Sequence, residues 1–185
     1  TEAEWIAHFA RFEPLPGNMT RPLAMRYHGH QFQTYNPQLG DGRGFLFAQL
    51  RDDRGRLLDL GTKGSGQTPY SRMGDGPSPT RSAVLVRLQH SHIRFGTFQR
   101  HAYHDAPANL GALVDHCAAC YYPALQALEG DEKVAGLVRA AALASAETAA
   151  AWMAAGVVQG VLNTDNKNNT GESFDNCPYR FLPVA

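Results

Sequence analysis

Cysteine is scarce in this 185-residue chain, with only Cys117, Cys120 and Cys177. So few, and an odd number, exclude a disulfide framework and fit a reducing compartment. Net charge is missing as well: 17 Lys and Arg balance 17 Asp and Glu. Charge therefore makes no case for nucleic acid or an anionic membrane surface. No uninterrupted apolar run approaches the length of a membrane span. The N-terminus, TEAEWIAHF, lacks the basic start and apolar core of a secretory signal. It also begins without Met, which leaves room for an upstream segment. There is no HExxH, no D-x-D-x-D-G calcium loop and no internal repeat. What remains is a chain of ordinary hydrophobic content, 43%, long enough for one domain or two small lobes around a cleft.

Residues 1–24 are expected to be a lead-in, with Trp5, Ile6 and Phe9 on one amphipathic turn that Pro14 and Pro16 end. His28-x-His30 follows, and without a third ligand at metal spacing these are expected to be structural histidines. Gly40, Gly42 and Gly44 with Arg43 form a loop whose backbone N–H groups and guanidinium suit an anion, although a plain turn explains it equally well. Phe45–Leu50 and Arg56–Thr62 are expected to be paired strands across the Asp52–Gly55 turn. Lys63 then ends the hairpin and enters Gly64-Ser65-Gly66, where a lysine can meet a phosphate. Arg87 and Arg94 lie seven apart in 84–98. On a helix they would share a face, and on a strand they would oppose each other. Residues 108–128 and 133–155 pattern as helices joined by a polar turn at 129–132. Cys117 and Cys120 fall inside the first helix as buried structural thiols rather than a redox or zinc pair.

The end of the chain carries the densest chemistry. Gly156 is expected to stop the second long helix. Val157–Leu162 is extended or a tight connector. Then come Asn163-Thr164-Asp165-Asn166 and, ten residues after Asp165, Asp175. Two carboxylates and an amide on a loop suit a hard divalent cation with substrate phosphates. A protein kinase uses an aspartate near the attacking hydroxyl, with an asparagine and a second aspartate on metal. An Asx-rich turn is the plainer reading.

The segments YHGHQF, PQLGDGR, LGTKGSGQTPYSRMGDG, SHIRFGTFQ, GVLNTDN and TGESFD occur here in the order found in selenoprotein O, the YdiU-type family. The chain resembles that family from about residue 25 to 183. The resemblance implies an α+β, protein-kinase-like fold of the pseudokinase kind, with a small β-containing N-lobe in 1–107 and a partial helical C-lobe in 108–185. It implies ATP bound in a flipped orientation, with magnesium or manganese, and transfer of AMP to Ser, Thr or Tyr hydroxyls of protein substrates. Nucleic acid and membrane have no part in it. Gly40, Gly42 and Arg43 fall on the nucleotide loop, Lys63 is the ATP-contacting lysine, and Asp75 and Gly76 lie on the next nucleotide turn. Arg87 and Arg94 match paired phosphate-binding arginines. Asp165 matches the base, Asn166 a metal ligand, and Asp175 the metal- and nucleotide-binding acid. A bacterial member would be cytoplasmic and a eukaryotic one mitochondrial.

Departures from the family are equally specific. Members are much longer than a chain stopping at Ala185. Between Arg81 and Arg87 they have a further helix and strands, including a glutamate that pairs with the lysine. Here no glutamate lies between Glu13 and Glu129. Gln159 replaces a usual His, Asn176-Cys177 replaces Tyr-Gly, and Lys167 stands where Met is usual. The expected function is thus a shortened protein adenylyltransferase. The alternatives are a non-catalytic nucleotide-binding remnant of the fold or a phosphoryl-transferring kinase.

Overall fold

The computed structural model describes residues 1–31, 33–39, 44–65, 83–160, 162–173 and 179–182, and these form a mixed α and β structure. The chain opens with a capped helical turn, α1 (Glu2–Trp5), followed by a π-turn over Ile6–Ala10. This segment is more than a lead-in. Phe9 and Phe12 pack on Phe47, at ring centroid distances of 5.9 and 6.4 Å. Strand β1 (Leu23–Ala24) joins the main sheet opposite Leu46 and Phe45.

That sheet is antiparallel, in the order β1, β4 (Gly44–Arg51), β5 (Leu57–Ser65), β6 (Ala83–Gln89). Strands β4 (Gly44–Arg51) and β5 (Leu57–Ser65) form the expected hairpin. Asp52 stitches its turn by accepting from the backbone N–H groups of Arg54 and Arg56. The register shifts between Leu46 and Ala48, which is a bulge at Phe47. A bulge breaks the in-out alternation of a strand, so the consecutive Phe47 and Ala48 are both buried and form the apolar core with Leu60. The hairpin pairing ends at Lys63, opposite Gly44, as expected, but β5 itself runs on to Ser65 because its ladder to β6 continues through Gly64 and Ser65.

Strand β6 (Ala83–Gln89) is one edge of the sheet among the described residues, and helix α2 (Phe95–Tyr103) follows after a short connector. Arg87 and Arg94 therefore share neither a helix nor a strand. One is on β6 and the other caps α2. A hairpin of β2 (Gly29–Gln31) and β3 (Thr34–Asn36) packs against α2.

Helix α3 covers Pro107–Cys120, with Pro at its first turn. It stops well short of residue 128, because a second proline, Pro123, starts a separate 3-10 turn over Pro123–Leu125. Helix α4 (Gly130–Ala154) begins three residues earlier than expected, inside the polar turn. It packs on α3, with Leu137 and Ala141 buried. By length and composition α4 is apolar enough to cross a membrane. This departs from the sequence expectation that no apolar run approaches the length of a membrane span. Gly156, at φ +70, ends the helix as predicted, and β7 (Val157–Gln159) pairs with β8 (Tyr179–Phe181).

Cys117 is fully buried on α3, and burial pushes its thiol up to about 12. It accepts a hydrogen bond from Asn169 Nδ2 at 3.1 Å. Among the described residues no disulfide and no metal-holding group of three His, Cys, Asp or Glu side chains occurs.

Candidate active site

The loop after β7 holds Asp165 and Asn166, which are 7% and 6% exposed. Asn163 and Asn166 close its first turn. The Asn166 N–H donates to Asn163 O at 3.0 Å, and the Asn163 N–H donates to Asn166 Oδ1 at 3.2 Å. The Asx-turn reading is therefore correct for the backbone, and it leaves the catalytic reading intact. An amide oxygen has two lone pairs, so Asn166 Oδ1 keeps one for a cation.

The chain then doubles back. Asn168 N–H donates to Glu172 O at 2.9 Å, and Lys167 bridges to Ser173. Gly171 makes this return, with φ at +85 and its α-carbon packed so closely on Ala144 that a Cβ would come within 2.5 Å of the backbone there. Lys167 is 7% exposed, with Nζ donating to Gly171 O and lying 5.1 Å from the Trp152 ring centroid. Burial lowers its pKa, and Glu172 opposes that shift.

Helix α2 clamps the loop. The first N–H groups of a helix have no partner within it. Here loop carbonyls supply two: Phe95 N–H donates to Lys167 O at 3.0 Å and Gly96 N–H to Thr164 O at 2.9 Å. Arg94, at the cap, is only 1% exposed. Its Nη1 donates to Asp165 O at 2.8 Å, and its guanidinium carbon lies 3.9 Å from the Tyr27 ring centroid. Arg87 is half-buried and donates to Ser173 O at 3.4 Å. The two arginines thus meet opposite ends of one loop, across elements that sequence spacing could not relate.

Lys63 Cα pairs with Gly44 and Leu85, and Gly61 pairs with Arg87. The strand lysine therefore sits beside the backbone that leaves the glycine loop. Gly40, Gly42, Arg43, Asp75, Gly76 and Asp175 lie outside the described residues.

Sequence reasoning missed the polar layer beneath this site. Asn168, Asn169 and Ser91 are fully or almost fully buried. Asn168 Nδ2 donates to Gln89 Oε1 at 3.2 Å and also to Ser91 O. Asp59, 2% exposed, accepts from Gln49 Nε2 at 2.8 Å, His92 N–H at 2.9 Å and Tyr121 OH at 3.4 Å. The available signal was an aspartate at a core position of a strand. Burial raises the Asp59 carboxyl, but the His92 and Gln49 hydrogen bonds outweigh it and hold it below the ordinary carboxylate range. A folded pKa below the unfolded one adds stability above the ordinary value of about 3.9, and that stability is lost as pH falls through the folded pKa. Asp59→Asn is thus expected to cost about 1–3 kcal/mol near neutral pH. It should also flatten the acid limb of urea-unfolding free energy below about pH 4. An unchanged acid limb would remove Asp59 from this role.

An aspartate and an amide on a clamped loop, with the half-buried Arg87 at its far end, form a polar site in which one guanidinium could meet an anion. The family described as Protein adenylyltransferase SelO matches residues 1–77 and 74–184. A protein of Synechocystis sp. named Protein nucleotidyltransferase YdiU is 44% identical over 205 aligned positions, covering 88% of this chain and 43% of that protein. Proteins of the same name are 42% identical in Trichormus variabilis, over 100% of this chain and 45% of theirs, and 45% identical in Gloeobacter violaceus, over 86% and 41%. The chain belongs to the SelO family. It spans less than half the length of these relatives. The alignment is also longer than the chain itself, and the two family matches meet at residues 74–77, so relatives carry internal positions that this chain lacks.

Proposed function

We propose that this chain is the nucleotide-binding and catalytic-loop part of a protein adenylyltransferase with kinase-like lobes. The observation that carries this is the clamped Asp165–Asn166 loop joined to Arg87 and Arg94 within a SelO-family chain. Asp165 takes the proton of an incoming Ser, Thr or Tyr hydroxyl. The hydroxyl oxygen bonds to the α-phosphorus of ATP, the bond from that phosphorus to the β-bridging oxygen breaks, and pyrophosphate leaves. Arg87, Lys63 and Arg43 offset phosphate charge. Arg94 acts through the loop backbone and holds the base in place. Asn166 and Asp175 would hold magnesium, which supplies charge neutralisation on the phosphates.

A second reading, a non-catalytic nucleotide-binding remnant, is favoured by the lack of any glutamate from residue 14 to 128 to pair with Lys63. Labelling of candidate proteins with ATP marked at either the α- or the γ-phosphate separates the readings, with Asp175→Ala as control. Retained α-label, lost in the variant, is the expected result. Retained γ-label would replace it with phosphoryl transfer. Neither label, from a folded chain that still binds Mg-ATP, would leave the remnant reading.

A further inference from the structure

The His28-Gly29-His30 strand takes no part in the chemistry above, yet it lies directly against Asp165. The φ of Gly29 is outside the left-handed region, so its backbone does not demand glycine. Space does. A Cβ built on Gly29 would sit 2.8 Å from Asp165 Cβ, 3.0 Å from Oδ1 and 3.2 Å from Cγ, and these are its three nearest heavy atoms. Side-chain carbons do not approach so closely, so either the strand or the aspartate would have to move.

The strand cannot move easily. His28 N–H donates to Gly96 O at 2.9 Å, and Gly96 N–H donates on to Thr164 O at 2.9 Å. His30 N–H donates to Thr164 Oγ1 at 3.2 Å. Behind it, Tyr35 OH donates to Gln99 O at 3.3 Å, so the 2.8 Å contact from His28 Nδ1 to that hydroxyl has the imidazole as donor. His30 Nδ1 accepts from Gln99 Nε2 at 3.2 Å. Both histidines thus fix the β2–β3 hairpin to α2, the helix that also clamps the loop.

We infer that this strand is the backstop of the Asp165 side chain and that Gly29 is a positioning residue for it, an assignment that rests on Asp165 being the base. The two histidines hold the backstop in place. A displacement near 1 Å of a reacting group can cost about 10²-fold in rate. Gly29→Ala should therefore lower α-label transfer by about that factor while Mg-ATP affinity stays within a few-fold.

A double-mutant cycle on thermal stability tests the contact without any activity. Gly29→Ala should lower the melting temperature in the native background but have little effect in an Asp165→Gly background, where the obstructing atoms are gone. Gly111→Ala on α3, where a Cβ would meet nothing within 4 Å, is the clash-free control, and it should raise the melting temperature slightly, as alanine does in a helix interior. Additive effects of Gly29→Ala and Asp165→Gly would overturn the inference, and so would full transfer activity in Gly29→Ala. If the native chain transfers no nucleotide, the functional reading fails, while the cycle still decides whether Gly29 sets the position of Asp165.

Discussion

Asp165→Asn is expected to reduce nucleotide transfer by about 10²–10⁴-fold, the usual worth of a positioned general base. The substitution is nearly isosteric, so the fit against Gly29 is kept. The loop is also held by main-chain groups: Asp165 O accepts from Arg94, Thr164 O from Gly96 and Lys167 O from Phe95. None of these needs the carboxylate. The melting temperature should therefore move by no more than a degree or two, and Mg-ATP affinity should hold within a few-fold. Loss of transfer with intact folding and binding would separate chemistry from architecture. An Asp165→Asn chain that transfers at the native rate would end its assignment as base.

Arg94→Ala should do the opposite, acting first on the fold. Among the described residues, Arg94 is the largest side chain that is fully enclosed, at 1% exposure. Removing it leaves a cavity, strips Asp165 O of its donor and uncovers the Tyr27 face. Cavity formation and the loss of one buried hydrogen bond together come to about 3 kcal/mol or more. For a chain of this length that is a fall of about 6–12 °C in melting temperature. Arg94→Lys should not restore the loss, because a lysine keeps the charge but cannot both stack flat on Tyr27 and reach the carbonyl. Full recovery with lysine would mean that only charge matters at this position. The resemblance implied that Arg87 and Arg94 are paired phosphate-binding arginines. Its enclosure instead supports a division of labour, with the half-buried Arg87 better placed to meet an anion.

Where neighbours in sequence decide the outcome, residues alone were enough. Two apolar runs about an Asp-Asp-Arg-Gly turn specify the β4–β5 hairpin. Gly156, which tolerates a positive φ, specifies the end of α4. The Asx-rich composition of residues 163–166 specifies a turn, since those side chains bond to nearby backbone. The order of several unusual motifs specified the family. Helix boundaries near Pro123 and Gly130 were less legible, because a helical pattern shows little of which residues will leave it.

The site itself depended on contacts between residues far apart in the chain. No local pattern says that an arginine seven residues after another will cap a helix and reach a carbonyl at 165. Nor does a polar run announce that Asn168 and Asn169 will be buried. Polar side chains enter a core only where partners from other elements satisfy them, and here Gln89, Ser91 and Cys117 arrive from β6, the connector and α3. The glycine between two histidines is the clearest case. Composition offered a metal motif or structural histidines, and its spacing to Asp165 spans most of the chain. Only folding brings β2 within van der Waals range of that aspartate, and there the absence of one carbon atom makes room for it.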